Sequence, residues 1–255
     1  MISMTDEFRR YVVPAEDDLF EQLLASARFE HVTRGRQGTV LVAPDDTRGI
    51  PIVRTTTRYD APAQCFKPVH SRLAQQIREL ASLPLAFNNA LIEVYGNAYT
   101  RMGFHSDQAL DLEAGSVIAV FSCYRVPDRA NPPRALVVQS KQPSGDVLEI
   151  PLTHHSVVVF SLDTNRRFRH KIVLDRSLQP PENQWLGVTF RTSGTFVRPS
   201  GERMHFEDGE PLTLADDDQR RAFYELRRRE NQETSFTYPR LTYTISESDL
   251  MRPRH

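Results

Sequence analysis

Cysteine is nearly absent. The two in 255 residues, Cys65 and Cys123, cannot build a disulfide framework, and without a CxxC spacing they read as structural thiols of a reducing compartment. No sign of charge predominates either: 32 basic and 33 acidic side chains leave a net charge of −1. A polyanion is therefore not attracted globally, and only a local basic stripe remains open. Long apolar runs are also missing. Segment 1–10 is polar, with no apolar signal region, and no stretch approaches the roughly 18 apolar residues of a membrane span. The expectation is a protein with no membrane partner, cytoplasmic or otherwise intracellular. There is no internal repeat and no low-complexity linker.

What is present suits one domain with additions. Apolar residues at Leu19, Phe20, Leu23, Leu24 and Ala27 have helical spacing, and Leu73, Ile77 and Leu80 predict a second helix over 69–82. Between them, 39–59 is rich in β-branched residues and turns. Beyond Pro84 the chain breaks into short apolar runs at 91–95, 117–124, 135–139, 147–150, 156–162, 171–174 and 185–191, the pattern of an antiparallel sandwich or barrel. After Arg191 it becomes polar. Asp216-Asp217-Asp218 predicts the cap of a helix through Arg229, with Phe223, Leu226 and Tyr224 inward, and 235–246 alternates like a strand. The fold class expected is mostly β with flanking helices. Its parts are 1–84, helices and strands packing on the core; 85–197, the core; and 198–255, an extension that would serve as a lid.

The chemistry-bearing residues stand in a definite order: His105-Ser106-Asp107, then His170, then Arg191. A non-haem Fe(II) centre needs two neutral imidazoles and one carboxylate on one face, with other positions left open. His105 and Asp107, two apart on an extended segment, project to one side, and His170 supplies a third ligand from a distant strand. The remaining histidines lack such neighbours: His154 and His155 read as turn residues, and His31, His70, His205 and His255 as solvated or hydrogen-bonded ones.

The segment from Phe87 to Asp107, with Phe87, Asn88, Leu91, Tyr95, His105, Ser106 and Asp107 in place, resembles the AlkB-like Fe(II)/2-oxoglutarate-dependent dioxygenases. A second block around Ser156, Thr164 and His170, and a third, Thr189-Phe190-Arg191, are similar to the same family at its spacing. The resemblance implies a double-stranded β-helix (jelly-roll) core that uses Fe(II), 2-oxoglutarate and O2. It implies His105, Asp107 and His170 as catalytic metal ligands, and Arg191 and Tyr95 as 2-oxoglutarate binders, with Arg191 on the far carboxylate. Three positions depart from the pattern. Trp185 stands where the family commonly has an arginine, Gly187 replaces an asparagine, and Glu93, also in place of an asparagine, points a carboxylate toward a dianion. Arg101 and Arg169 are the candidates to neutralise it, Arg169 reading better as a solvated strand residue.

The substrate implied by the resemblance is an alkylated nucleobase or nucleic acid, oxidatively demethylated. A small-molecule hydroxylase of a biosynthetic pathway is the alternative, and a non-catalytic binding protein retaining the fold is the third reading. Segment 58–66 keeps Tyr59 and Phe66, which serve either as stacking residues or as core. The compact basic clusters, Arg166-Arg167 and Arg227-Arg228-Arg229, serve either as phosphate contacts or as solvated faces.

Overall fold

Buried side chains that point alternately to the two faces of its strands give the chain two apolar layers with one sheet between them. The computed structural model describes every residue except 1–3, 16–17, 101, 143–144, 176 and 178–179. The N-terminal part contains α1 (Met4–Glu7), β1 (Arg9–Val12), α2 (Leu19–Ser26), β2 (Glu30–Thr33), β3 (Arg36–Val42), β4 (Ile50–Pro51), β5 (Gln64–Cys65) and α3 (Pro68–Leu80). Then come β6 (Asn89–Gly96), β7 (Val117–Tyr124), β8 (Arg134–Ser140), β9 (Val147–Leu152), β10 (Ser156–Ser161), α4 (Leu162–Arg167), β11 (Phe168–Val173) and β12 (Gln184–Arg191). The remainder holds β13 (Phe196–Ser200), β14 (Arg203–Phe206), β15 (Thr213–Leu214), α5 (Asp217–Gln232) and β16 (Tyr243–Thr244).

The main sheet has eight strands, ordered β1-β10-β7-β12-β6-β3-β2, with β5 joining β3 in parallel. A three-stranded sheet, β11-β8-β9, faces it. On β6 and β12, residues 90, 92, 94, 186, 188 and 190 point to one side and pack with Phe20, Leu23, Leu73 and Ile77 of α2 and α3. Tyr95, Ile118, Val120, Val158, Phe160 and Trp185 point to the other side, against Leu136, Val138, Ile150, Leu152 and Ile172 of the small sheet. This period of two is what the apolar runs encode. Two facing antiparallel sheets with helices on the outer face are the jelly-roll core expected from the sequence.

The N-terminal segment does more than pack on that core: β1 extends the main sheet beside β10, and β3 pairs with β6 along its whole length. No described helix is long and apolar enough to cross a membrane. The helix expected after Asp216 runs to Gln232, with the Asp216 side chain and Gln219 forming a reciprocal cap. The strand expected over 235–246 reduces to Tyr243–Thr244. Its apolar residues, Leu241, Tyr243 and Ile245, instead pack singly with Ala215 and Phe223 in a small cluster that anchors the C-terminal segment.

The same segment contributes a buried acid. Asp249 accepts a hydrogen bond from the Thr244 hydroxyl, and burial raises its carboxyl to about 6 despite that bond, with Asp111 nearby adding to the rise. Because the folded-state value lies above the unfolded one, folding takes up a proton, and stability falls as pH rises from about 4 to about 6. Asp249→Asn is expected to stabilise the protein by up to about 3 kcal/mol above pH 7 and to leave stability at pH 3 unchanged. Urea titrations at the two pH values check this, and an equal effect at both would refute it.

Candidate metal centre and adjoining cavity

Backbone pairing brings the two histidines together. The His105 N–H donates to the His170 carbonyl at 2.9 Å and the His170 N–H to the His105 carbonyl at 2.6 Å, a short antiparallel bridge that joins the segment before Asp107 to β11. The two rings lie with centroids 4.6 Å apart. The Gly103 carbonyl lies 3.0 Å from His105 Nδ1, which assigns the proton to that nitrogen and leaves Nε2 free. Asp107 is fixed by a reciprocal pair with Asn165: its N–H donates to Oδ1 and its carbonyl accepts from Nδ2, both at 2.8 Å. Asp107 Oδ1 then stands 3.9 Å from His105 Nε2 and 3.4 Å from His170 Nε2. One ligand atom from each residue falls within 4.8 Å of the others.

The electrostatics match that donor set. Burial, with His170 beside it, lowers the His105 imidazole to about 3, although the side chain remains 31% exposed. The ring is therefore neutral and its lone pair available. Burial alone would discourage ionisation of Asp107, but Arg191 together with His170 and His105 outweighs it and holds the carboxyl well below the usual range. Arg191 Nε and Nη2 both reach Asp107 Oδ2, at 2.7 and 2.6 Å, leaving Oδ1 as the ligand atom. Two neutral imidazoles and a monodentate carboxylate fit Fe(II) with open positions.

A cavity of about 430 Å³ adjoins these atoms, and Tyr95, His105, Asp107, His170 and Arg191 all line it. The structure thus gathers every site residue read from the sequence. Of these, Arg191 engages Asp107 at the metal end of the cavity. Tyr224, expected inward, is 44% exposed and faces the cavity mouth, and the same helix adds Arg227 and Asn231 to the wall. The Asn231 side chain accepts from the Ser106 N–H, so α5 is tied directly to the metal-binding segment.

Glu93 is neutralised by a residue that sequence reasoning missed. Arg36, at the start of β3, pairs in register with Tyr95 and brings its guanidinium to Glu93 Oε1 at 2.6 Å. Burial works against the Arg36 charge, but Glu93 with Tyr95 and Tyr99 more than offsets it and raises the group above its ordinary range. The other Glu93 oxygen accepts from the Tyr95 hydroxyl at 2.7 Å. No local signal marks Arg36 in Gly35-Arg36-Gln37; only the β3–β6 pairing reveals it. Arg169, one expected partner for Glu93, donates instead to Gln139, and Arg101 lies outside the described residues.

Trp185 and Gly187 are coupled by packing. A Cβ at Gly187 would lie 2.0 Å from the Trp185 ring, so the indole covers the space a side chain at 187 would need, and it packs on Tyr95 at 4.8 Å between centroids. Gly187→Ala is expected to displace the ring and destabilise the protein by about 1–3 kcal/mol. An unchanged denaturation midpoint would show that the ring has room to move.

A sequence profile of the 2OG-Fe(II) oxygenase superfamily matches residues 13–191. No curated protein matches the chain. Solved structures with a similar course include OsALKBH1, 13% identical with a TM-score of 0.49 over 73% of this chain and 98% of that one. A Pseudomonas putida prolyl-4-hydroxylase is 14% identical with a TM-score of 0.42 over 74% and 94%. A Trichoplax adhaerens prolyl hydroxylase, in complex with a hypoxia inducible factor oxygen degradation domain peptide fragment, is 13% identical with a TM-score of 0.44 over 73% and 84%.

Proposed function

The chain belongs to the 2OG-Fe(II) oxygenase superfamily and is an Fe(II)- and 2-oxoglutarate-dependent dioxygenase, and from that premise we propose that it hydroxylates a C–H bond of a small molecule enclosed between its metal centre and α5. In this reading His105 Nε2, Asp107 Oδ1 and His170 Nε2 hold the iron. With O2, the bound iron and 2-oxoglutarate supply an oxidant that converts C–H to C–OH, 2-oxoglutarate leaving as succinate and CO2. Arg191 keeps Asp107 ionised with Oδ1 free, Gly103 fixes the His105 tautomer, and α5 adds Tyr224, Arg227 and Asn231 to the cavity wall.

The observation that carries the small-molecule reading is the state of the basic clusters. Arg227 is paired with Glu230, Arg228 with Glu225, Arg229 with Glu233, Arg166 with Asp163 and Arg167 with Glu7. Each arginine has a local acid, so neither cluster offers uncompensated charge to a phosphate backbone. Tyr59 is 4% exposed, and Phe66 packs edge-on against His70 and Phe190, so neither is free to stack on a base. The cavity volume lies at the low end for small-molecule sites and must hold the cosubstrate as well.

The AlkB-like reading, demethylation of an alkylated nucleobase, is supported by the ordered residues from Phe87 to Asp107. The two readings separate in one assay. Succinate formation by the iron-loaded protein should be stimulated by a low-molecular-weight metabolite extract and not by a methylated oligonucleotide. Stimulation by the oligonucleotide, with binding that weakens steeply as salt rises, would overturn the small-molecule proposal.

A further inference from the structure

We propose, on the premise that 2-oxoglutarate binds beside His105, Asp107 and His170, that Arg36, Tyr95 and Tyr59 receive its far (C5) carboxylate, and that Glu93 fills this slot as an internal stand-in until the cosubstrate displaces it. Position 185, where the family commonly places an arginine, carries a neutral indole with a buried, unpartnered Nε1. Across the sheet, Trp185 stands opposite Tyr95, and Tyr95 opposite Arg36. Arg36 therefore lies on the same cross-strand row and the same face as the missing arginine, two strands away. Its guanidinium lines the cavity that also contains the metal-binding atoms.

The donors gathered there exceed what Glu93 needs. Arg36 directs Nε and Nη2 at one Glu93 oxygen, at 2.7 and 2.6 Å, and Tyr95 donates to the other at 2.7 Å. The Tyr59 hydroxyl, also buried, has no hydrogen-bond partner among the described residues. It reaches this place because position 38 is glycine: a Cβ there would stand 3.0 Å from the Tyr59 hydroxyl and 3.2 Å from Glu93 Cγ. An arginine fork and two phenols, one of them a vacant hydrogen-bond donor, around one carboxylate are the recognition set for a second carboxylate arriving on a ligand. Two carboxylates sharing one buried cation repel strongly, so the ligand must displace Glu93 rather than sit beside it.

Titration calorimetry under anaerobic conditions, with the Fe(II)-loaded full chain, tests this without turnover. The two ligands are 2-oxoglutarate and 2-oxopentanoate, which shares the chelating 2-oxo acid head and carries a methyl in place of the C5 carboxylate. The wild type should prefer 2-oxoglutarate. Arg36→Met should weaken 2-oxoglutarate about 30-fold while changing 2-oxopentanoate little, and Glu93→Gln should tighten 2-oxoglutarate about 10-fold. Retained preference in Arg36→Met, or weaker 2-oxoglutarate binding in Glu93→Gln, overturns the assignment; the glutamine variant decides alone where Arg36→Met fails to fold. A wild type that binds neither ligand removes the premise itself, an outcome distinct from wild-type binding that ignores both substitutions.

Discussion

His105→Ala is expected to reduce iron-dependent succinate formation by on the order of 10³-fold or more and to leave the protein folded. Loss of a residue that merely orients a metal ligand typically costs about 10–100-fold in affinity or activity, and loss of a ligand itself costs more. The fold survives because His105 is held by backbone bonds to His170, which alanine also makes, and because its side chain already lines the cavity. Asn165→Ala offers a graded comparison. It removes the side-chain pair that orients Asp107 without touching a metal-ligand atom, so its loss should fall in the 10–100-fold range. Iron retained after anaerobic loading and gel filtration, measured with succinate release, checks both. Stoichiometric iron and full turnover in His105→Ala would remove this centre from the chemistry.

How far the sequence speaks depends on how local each signal is. His105 and Asp107 are legible because their spacing is short, and the surrounding motif fixes their context. His170 is legible because its block, with Thr164, repeats a family spacing. The central strands β6, β7, β10 and β12 are legible because burial on both faces makes them short, nearly continuous apolar runs, whereas the edge strands β1 and β2 carry no such run and go unread. Arg36 is not, because the register between β3 and β6 that sets it beside Tyr95 is a long-range property. The arginine triplet 227–229 looks like a phosphate site in one dimension, whereas in the structure each member finds an acid three or four residues before or after it. Segment 235–246 alternates as a strand would, yet for most of its length no neighbouring strand is available to pair with it.

Asp111→Ala is expected to destabilise the protein by about 3 kcal/mol or more, the largest stability effect of any single substitution considered for the chain. Arg54 is 3% exposed and Asp111 2% exposed. Asp111 accepts from the Arg54 backbone N–H at 2.7 Å and from Nη2 at 2.7 Å, while Nη1 donates to the carbonyls of Leu241 and Tyr243 at 2.8 and 3.0 Å. Removing the carboxylate leaves a buried guanidinium with only those carbonyls and the nearby Asp249, which offsets part of the loss. Removing both charges by Arg54→Met with Asp111→Leu should recover much of the stability, because the cost lies in stranding one charge rather than in losing the pair. Denaturant titrations of the three variants decide this, and a double variant less stable than Asp111→Ala would contradict it. The consequence reaches the active site: Arg54 clamps the segment that follows α5, and α5 gives Tyr224, Arg227 and Asn231 to the cavity wall. A loosened clamp frees that wall, so at temperatures where Asp111→Ala remains folded its KM for the hydroxylated substrate should rise before its iron affinity changes.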